Sequence, residues 1–144
     1  MSGPAECSCG VAHKSSLGTA YNEEAFRHLL AVERTRARHA RSAILLVLVS
    51  AKRPLGTNDR IPAASAARIF AAMWFCLRDV DFTGWFRQDR VAGAVLTHGM
   101  EPPSPLVASV IGQRLTKTLL ERVPPDLSSC LRLRVMQLGP VPKC

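Results

Sequence analysis

The twenty residues from Leu77 to Leu96, LRDVDFTGWFRQDRVAGAVL, decide the fold. Asp81 to Arg87 and Arg90 to Thr97 are aromatic and branched runs on either side of Gln88 and Asp89, which predicts two antiparallel strands around a tight turn. On the N-terminal side, Ala66, Ile69, Phe70, Met73 and Leu77 recur at helical spacing behind Pro62, a residue suited to the first turn of a helix. Before that lies Ser42 to Ser50, SAILLVLVS. It is short, continuous and branched, as a strand buried on both faces requires. Ala51 to Ile61 holds Pro54 and Gly56 and reads as a loop.

On the C-terminal side, Gly99 to Pro103 is a loop, and Ser104 and Pro105 supply the cap and first position of another helix. This helix turns Val107, Ile111, Leu115 and Leu119 inward until Pro124 and Pro125 stop it. Leu131 to Leu138 alternates as a half-exposed edge strand does. Near the start of the chain, Asn22 can cap a helix with Glu23 and Glu24 in its first turn, an apolar stripe of Phe26, Leu29, Leu30 and Ala37, and arginines towards its end. Residues 1–21 have no period and are expected to form a flexible leader, so that deleting Met1 to Ala20 would barely alter stability. Residues 139–144 form a short tail.

After the first helix the order is strand, helix, strand, strand, helix, strand. Right-handed crossovers fold those six elements into a ferredoxin-like βαββαβ layer, an α+β fold with its two helices on one sheet face and the N-terminal helix as an addition. At 144 residues, 47% hydrophobic and 21% charged, the chain has one domain's worth of core, placed at residues 22–138. The longest apolar run, Ala43 to Val49, is too short to cross a bilayer, and Met1 to Gly10 has no apolar signal core, so a cytoplasmic protein with free thiols is expected. Nineteen lysines and arginines against eleven acids give a net charge of +8, which favours anionic partners. Arg34 to Arg60 holds seven basic residues and one acid, Asp59, so most of the excess sits there.

The segment from Leu77 resembles the heart of a GGDEF domain, the bacterial diguanylate cyclase family, whose pattern is roughly L-R-x-x-D-x-x-x-R-Y-G-G-D-E-F-x-x-x-L. Arg78 and Asp81 match the R-x-x-D, while Trp85 and Phe86 stand where Arg-Tyr is usual. Arg87, Gln88, Asp89, Arg90 and Val91 occupy the five signature positions, and only Asp89 is kept. Ala25 to Val49 looks like the family's entry helix and first strand. The likeness runs from about Glu23 to Leu138 and implies a nucleotide-cyclase-like fold.

A cyclase of this family holds two divalent metals on acids of the first strand and the hairpin, to activate a 3′-hydroxyl and neutralise a triphosphate. The matching positions here are Leu48, Ser50 and Arg90, and the phosphate-approach glycines are Arg87 and Gln88. A metal site without carboxylates is not expected, nor is any cofactor. The R-x-x-D implies an inhibitory cyclic di-GMP site, so Arg78 and Asp81, with Arg87, are the candidate ligand residues. A turn cap or helix-end ion pair is the structural alternative for Arg78 and Asp81.

Other features carry weaker chemistry. Cys7, Cys9 and His13 give C-x-C-x3-H, short of a fourth metal ligand, and Cys144 has no assigned role. His28, His39 and His98 lack nucleophile partners, and Trp74, Trp85 and Phe86 are expected to pack in the core rather than stack on a base. The sequence therefore reads as a catalytically inactive GGDEF-like regulatory or scaffold domain in signalling, which binds a protein partner or cyclic di-GMP. The alternative is a basic ferredoxin-like nucleic-acid-binding protein, although no aromatic residues interleave its arginines.

Overall fold

The computed structural model describes residues 10–15, 18–52, 60–77, 81–97 and 105–138. Among these residues, six strands form one mixed sheet in the order β1-β2-β4-β5-β3-β6. They are β1 (Val11–Ser15), β2 (Gly18–Tyr21), β3 (Ile44–Ala51), β4 (Phe82–Arg87), β5 (Val91–Thr97) and β6 (Leu131–Leu138). The helices are α1 (Glu23–Ala40), α2 (Ala63–Cys76), α3 (Pro105–Arg122) and the single turn α4 (Pro125–Ser128).

From β3 onward the expected core is present. β3 and β5 are central, β6 is an edge, and all three pairings among β4, β5, β3 and β6 are antiparallel. The alternation of β3 explains the layering, because successive side chains leave a strand on opposite faces. Leu45, Val47 and Val49 join a cluster with Ala66, Ile69, Phe70 and Met73 of α2 and Leu115 and Leu119 of α3. Ile44 and Leu46 join a second cluster with Phe26, Leu30 and Ala37 of α1. The two crossover helices thus share one face, and the narrow stripe of α1 covers part of the other.

The ends of α1 follow from local chemistry. Asn22 is extended and its side chain accepts from the Ala25 N–H at 2.9 Å, as a cap should. Arg41 adopts a left-handed conformation, φ 55°, that lets its N–H and that of Ser42 close the last carbonyls at Arg38 and Ala37. Phe26 is fully buried because Gly84 and Gly93, paired on β4 and β5, let it approach the sheet. A Cβ on Gly93 would lie 2.9 Å from Phe26 Cζ.

The expected leader requires correction. Residues 11–15 and 18–21 are strands, with β1 antiparallel to β2 and β2 parallel to β4. The hairpin stands on few side chains. Ala20 is fully buried, the Trp74 indole N–H donates to the Thr19 carbonyl at 3.2 Å, and the His13 ring lies 5.3 Å from that of Phe70. Serine, glycine and alanine carry little hydrophobic signal, so a segment held by backbone pairing and close approach shows no period. Among the described residues, no helix is long and apolar enough to cross a membrane.

Candidate functional site

The β4–β5 hairpin holds the five residues that the sequence reading set against the signature. Arg87 ends β4, Gln88, Asp89 and Arg90 form the turn, and Val91 begins β5. The Arg90 N–H donates to the Arg87 carbonyl at 2.9 Å, and Asp89 takes φ 62°, a conformation that aspartate tolerates better than most side chains. A register shift between Trp85 and Arg87 twists the strand just before the turn.

Two latches hold this turn. On one side, Gln88 and Glu23 bond reciprocally: the Gln88 N–H donates to Glu23 Oε1 at 2.7 Å, and the Glu23 N–H donates to Gln88 Oε1 at 3.0 Å. Arg27, one turn along α1, donates to the Phe86 carbonyl at 2.9 Å and lies 4.4 Å above the Phe86 ring. It also pairs with Glu23 at 3.3 Å. On the other side, Asp89 Oδ2 meets Arg60 at 3.3 Å, and the Asp89 carbonyl accepts from the Ile61 N–H at 2.6 Å. The turn is therefore tied to the first residue of α1 and to the approach to α2. Its Gln88 amide, the kind of donor that would greet a phosphate, faces the chain's own carboxylate.

The first-strand positions lie beside the hairpin, as expected. Ser50 pairs with Val91 and Leu48 with Gly93. On the opposite side of β3, Ser50 pairs with Arg132 and Leu48 with Arg134. Directly opposed residues of antiparallel strands share a face, so this locus combines a leucine, a serine and cations from β6 and the turn. A divalent magnesium-type ion needs several oxygen ligands, preferably carboxylates. Leu48 offers none, Ser50 offers one neutral hydroxyl, and Arg90 would repel the ion, so the residues present do not fit a two-metal centre. Among the described residues, no cluster of three histidine, cysteine, aspartate or glutamate side chains is placed to hold a metal.

The two described candidate ligand residues, Asp81 and Arg87, do not converge. Asp81 precedes β4, where its Oδ1 accepts from the Thr97 N–H at 3.1 Å and so ties the end of β5. Arg87 ends β4, about 20 Å away at the usual rise of a six-residue strand. Arg78 lies outside the described residues, as do Cys7, Cys9, His98 and Cys144. Trp85 is buried against Phe70, with ring centroids 5.2 Å apart in an edge-on arrangement, and Phe86 lies under Arg27. Neither ring is open to stack on a base. His28 and His39 are exposed on α1, as are Arg34, Arg36 and Arg38, and Arg41 is exposed just past its end.

One feature gave no clear sequence signal. Between α3 and β6 runs a groove of about 560 Å3, lined by Ser109, Gly112, Thr116 and Leu120 on the helix and by Leu133 and Val135 on the strand. The groove depends on how far α3 overhangs the edge of the sheet, which helical spacing does not encode.

No protein-family model and no curated protein matches the chain. Solved structures do. The GGDEF domain of YfiN (TpbB) from Pseudomonas aeruginosa superposes with a TM-score of 0.59 at 18% identity, covering 82% of this chain and 76% of that one. The GGDEF domain of DgcB from Caulobacter crescentus, solved in complex with c-di-GMP, gives 0.52 at 12% identity over 88% and 76%. The diguanylate cyclase SiaD from Pseudomonas aeruginosa, in complex with its activator SiaC, gives 0.55 at 15% identity over 94% and 52%. The chain has the fold of a GGDEF domain.

Proposed function

We propose that the chain is a regulatory or scaffold domain of GGDEF fold that has no cyclase chemistry and acts by binding a protein partner. One observation carries this reading. The β3 and hairpin positions that would supply metal carboxylates are adjacent in the sheet, yet they hold Leu48, Ser50 and Arg90, flanked by Arg132 and Arg134. The Gln88–Glu23 latch supports it, because a turn amide bonded to a carboxylate is not offered to a nucleotide phosphate.

Binding of cyclic di-GMP through Arg78, Asp81 and Arg87 is the less favoured form of the same reading. Asp81 Oδ1 is engaged with the Thr97 amide, and Arg87 lies at the far end of β4. The family's ability to bind both kinds of partner is visible in the DgcB complex with c-di-GMP and the SiaD complex with SiaC.

The test is GTP turnover with magnesium or manganese, together with a calorimetric titration of cyclic di-GMP. No turnover and no saturable heat are expected. Turnover that disappears on mutating Asp89 would overturn the non-catalytic reading. Saturable binding lost in Arg78→Ala would replace the protein partner by the dinucleotide.

A further inference from the structure

The strand β6 closes the sheet on one side, and among the described residues no strand pairs with its outer edge. All eight of its residues pair with β3 without a bulge, so the outer edge is straight and offers a regular series of backbone donors and acceptors. Such an edge accepts an extended segment of another chain.

Three observations narrow the kind of segment. First, α3 overhangs the edge. Its stripe of Ile111, Leu115 and Leu119 faces the core, while Ser109, Gly112, Thr116 and Leu120 line the groove that begins at Leu133 and Val135. A seventh strand would lie beneath this roof with every second side chain in the groove. Second, the surface of the groove is mostly apolar and narrow at its floor, with Gln113 and Lys117 also on its helix side. Gly112 brings the helix close to β6, with a Cβ there meeting Val135 at 3.3 Å, and Leu120 is 59% exposed at its rim. Third, the other face of the edge is cationic. Arg132 and Arg134 are exposed, form no ion pair among the described residues, and have only Ser50 and Leu48 across from them on β3. Their remaining lateral neighbours would be the side chains of an added strand. A second copy would bring four arginines to the junction, whereas an acidic strand would oppose each with a carboxylate.

We infer that the β6 edge is a docking site for an extended acidic segment of a partner protein, with carboxylates two residues apart facing Arg132 and Arg134 and small apolar residues between them filling the α3 groove. The inference rests on the reading that the chain acts by binding, and it gives that reading a surface and a chemistry.

The test uses fluorescein-labelled octapeptides and the full chain, read by anisotropy. Alternating valine and glutamate should bind, and alternating valine and lysine should bind at least about tenfold more weakly. Two further versions of the acidic peptide carry N-methyl groups on one backbone edge or the other. One should bind and its counterpart should not, because only one edge meets β6. The double variant Arg132→Glu/Arg134→Glu should reverse the preference between peptides. Thr116→Trp, at an exposed position on the groove wall, should weaken binding without changing the circular dichroism spectrum. No binding of the acidic peptide, equal binding of both methylated forms, or self-association of the chain that the double arginine variant abolishes would each overturn the inference. GTP turnover would defeat the non-catalytic reading without silencing this edge, and a silent edge would leave that reading standing.

Discussion

Gly93→Ala is the most incisive single perturbation of the fold around the hairpin. The added methyl would sit 2.9 Å from Phe26 Cζ and 3.2 Å from Cε2, with Phe86 Cβ at 3.4 Å. An aromatic ring seated in a fully buried position cannot yield as the end of a lysine would, and Phe26 is held edge-on by Phe82 at 5.6 Å. Glycine to alanine in an unstrained strand position normally stabilises by about 0.4–1 kcal/mol, through the unfolded chain. Overpacking a buried position costs about 1–3 kcal/mol and exceeds that gain, so the variant should lose about 1–2 kcal/mol overall. The decisive measurement is a double-mutant cycle in urea. Phe26→Leu alone should destabilise by creating space, and Gly93→Ala in that background should be neutral or stabilising. The expected coupling is about 1 kcal/mol or more, favourable to the double variant. Additive losses would show that the glycine is not there for the ring, and the account of how α1 seats on the sheet would fail.

Removing residues 1–20 should lower the melting temperature by at least about 5 °C, since Ala20, the Thr19 carbonyl and the His13–Phe70 contact go with them. An unchanged thermal scan would return that segment to the role of a leader. Asp81→Ala should cost about 1–2 kcal/mol in chemical denaturation by leaving the Thr97 N–H without its acceptor, and Asp81→Asn should cost markedly less. Equal losses would show that charge rather than acceptance matters. At the turn, Asp89→Val should destabilise by about 1–2 kcal/mol because a β-branched residue resists φ 62°, while Asp89→Gly should be much milder despite losing Arg60. If the two variants melt together, the turn conformation assigned to Asp89 is wrong.

The elements that announced themselves in sequence are those whose burial is periodic. β3 is apolar from Ile44 to Val49 because α1 covers one face and α2 and α3 the other, and α2 shows its stripe because only one side is covered. Asn22 and Pro62 mark helix starts through chemistry local to those residues. The β1–β2 hairpin has no such signature. It is held by backbone pairing to β4 and by Trp74 and Phe70, residues more than fifty positions away, so its strand character belongs to the assembled sheet. The one-turn α4 was likewise hidden, because Pro124 and Pro125 end one helix and also begin another turn.

Leu48 and Ser50 lie beside the hairpin strand in the fold, and their other neighbours arrive from a strand that local reading keeps apart. Leu48, Ser50 and Arg90 could be aligned by spacing alone, since β3 and the hairpin lie at a fixed separation within one βαβ passage. Arg132 and Arg134 belong to β6, more than eighty residues beyond β3, and their alternation announces only a half-exposed strand. The register places them against Ser50 and Leu48, turning a site that merely lacks carboxylates into one bordered by fixed cations. The consequence runs outward. Cations placed at the sheet's edge cannot be neutralised from β3, which supplies a leucine and a serine. A strand added on the open side of β6 would set its side chains directly beside them. The alignment of β3 with β6 thus sets two arginines beside Ser50 and Leu48 at the sheet's edge, and charge reversal at Arg132 and Arg134 examines that edge, while GTP turnover examines the hairpin.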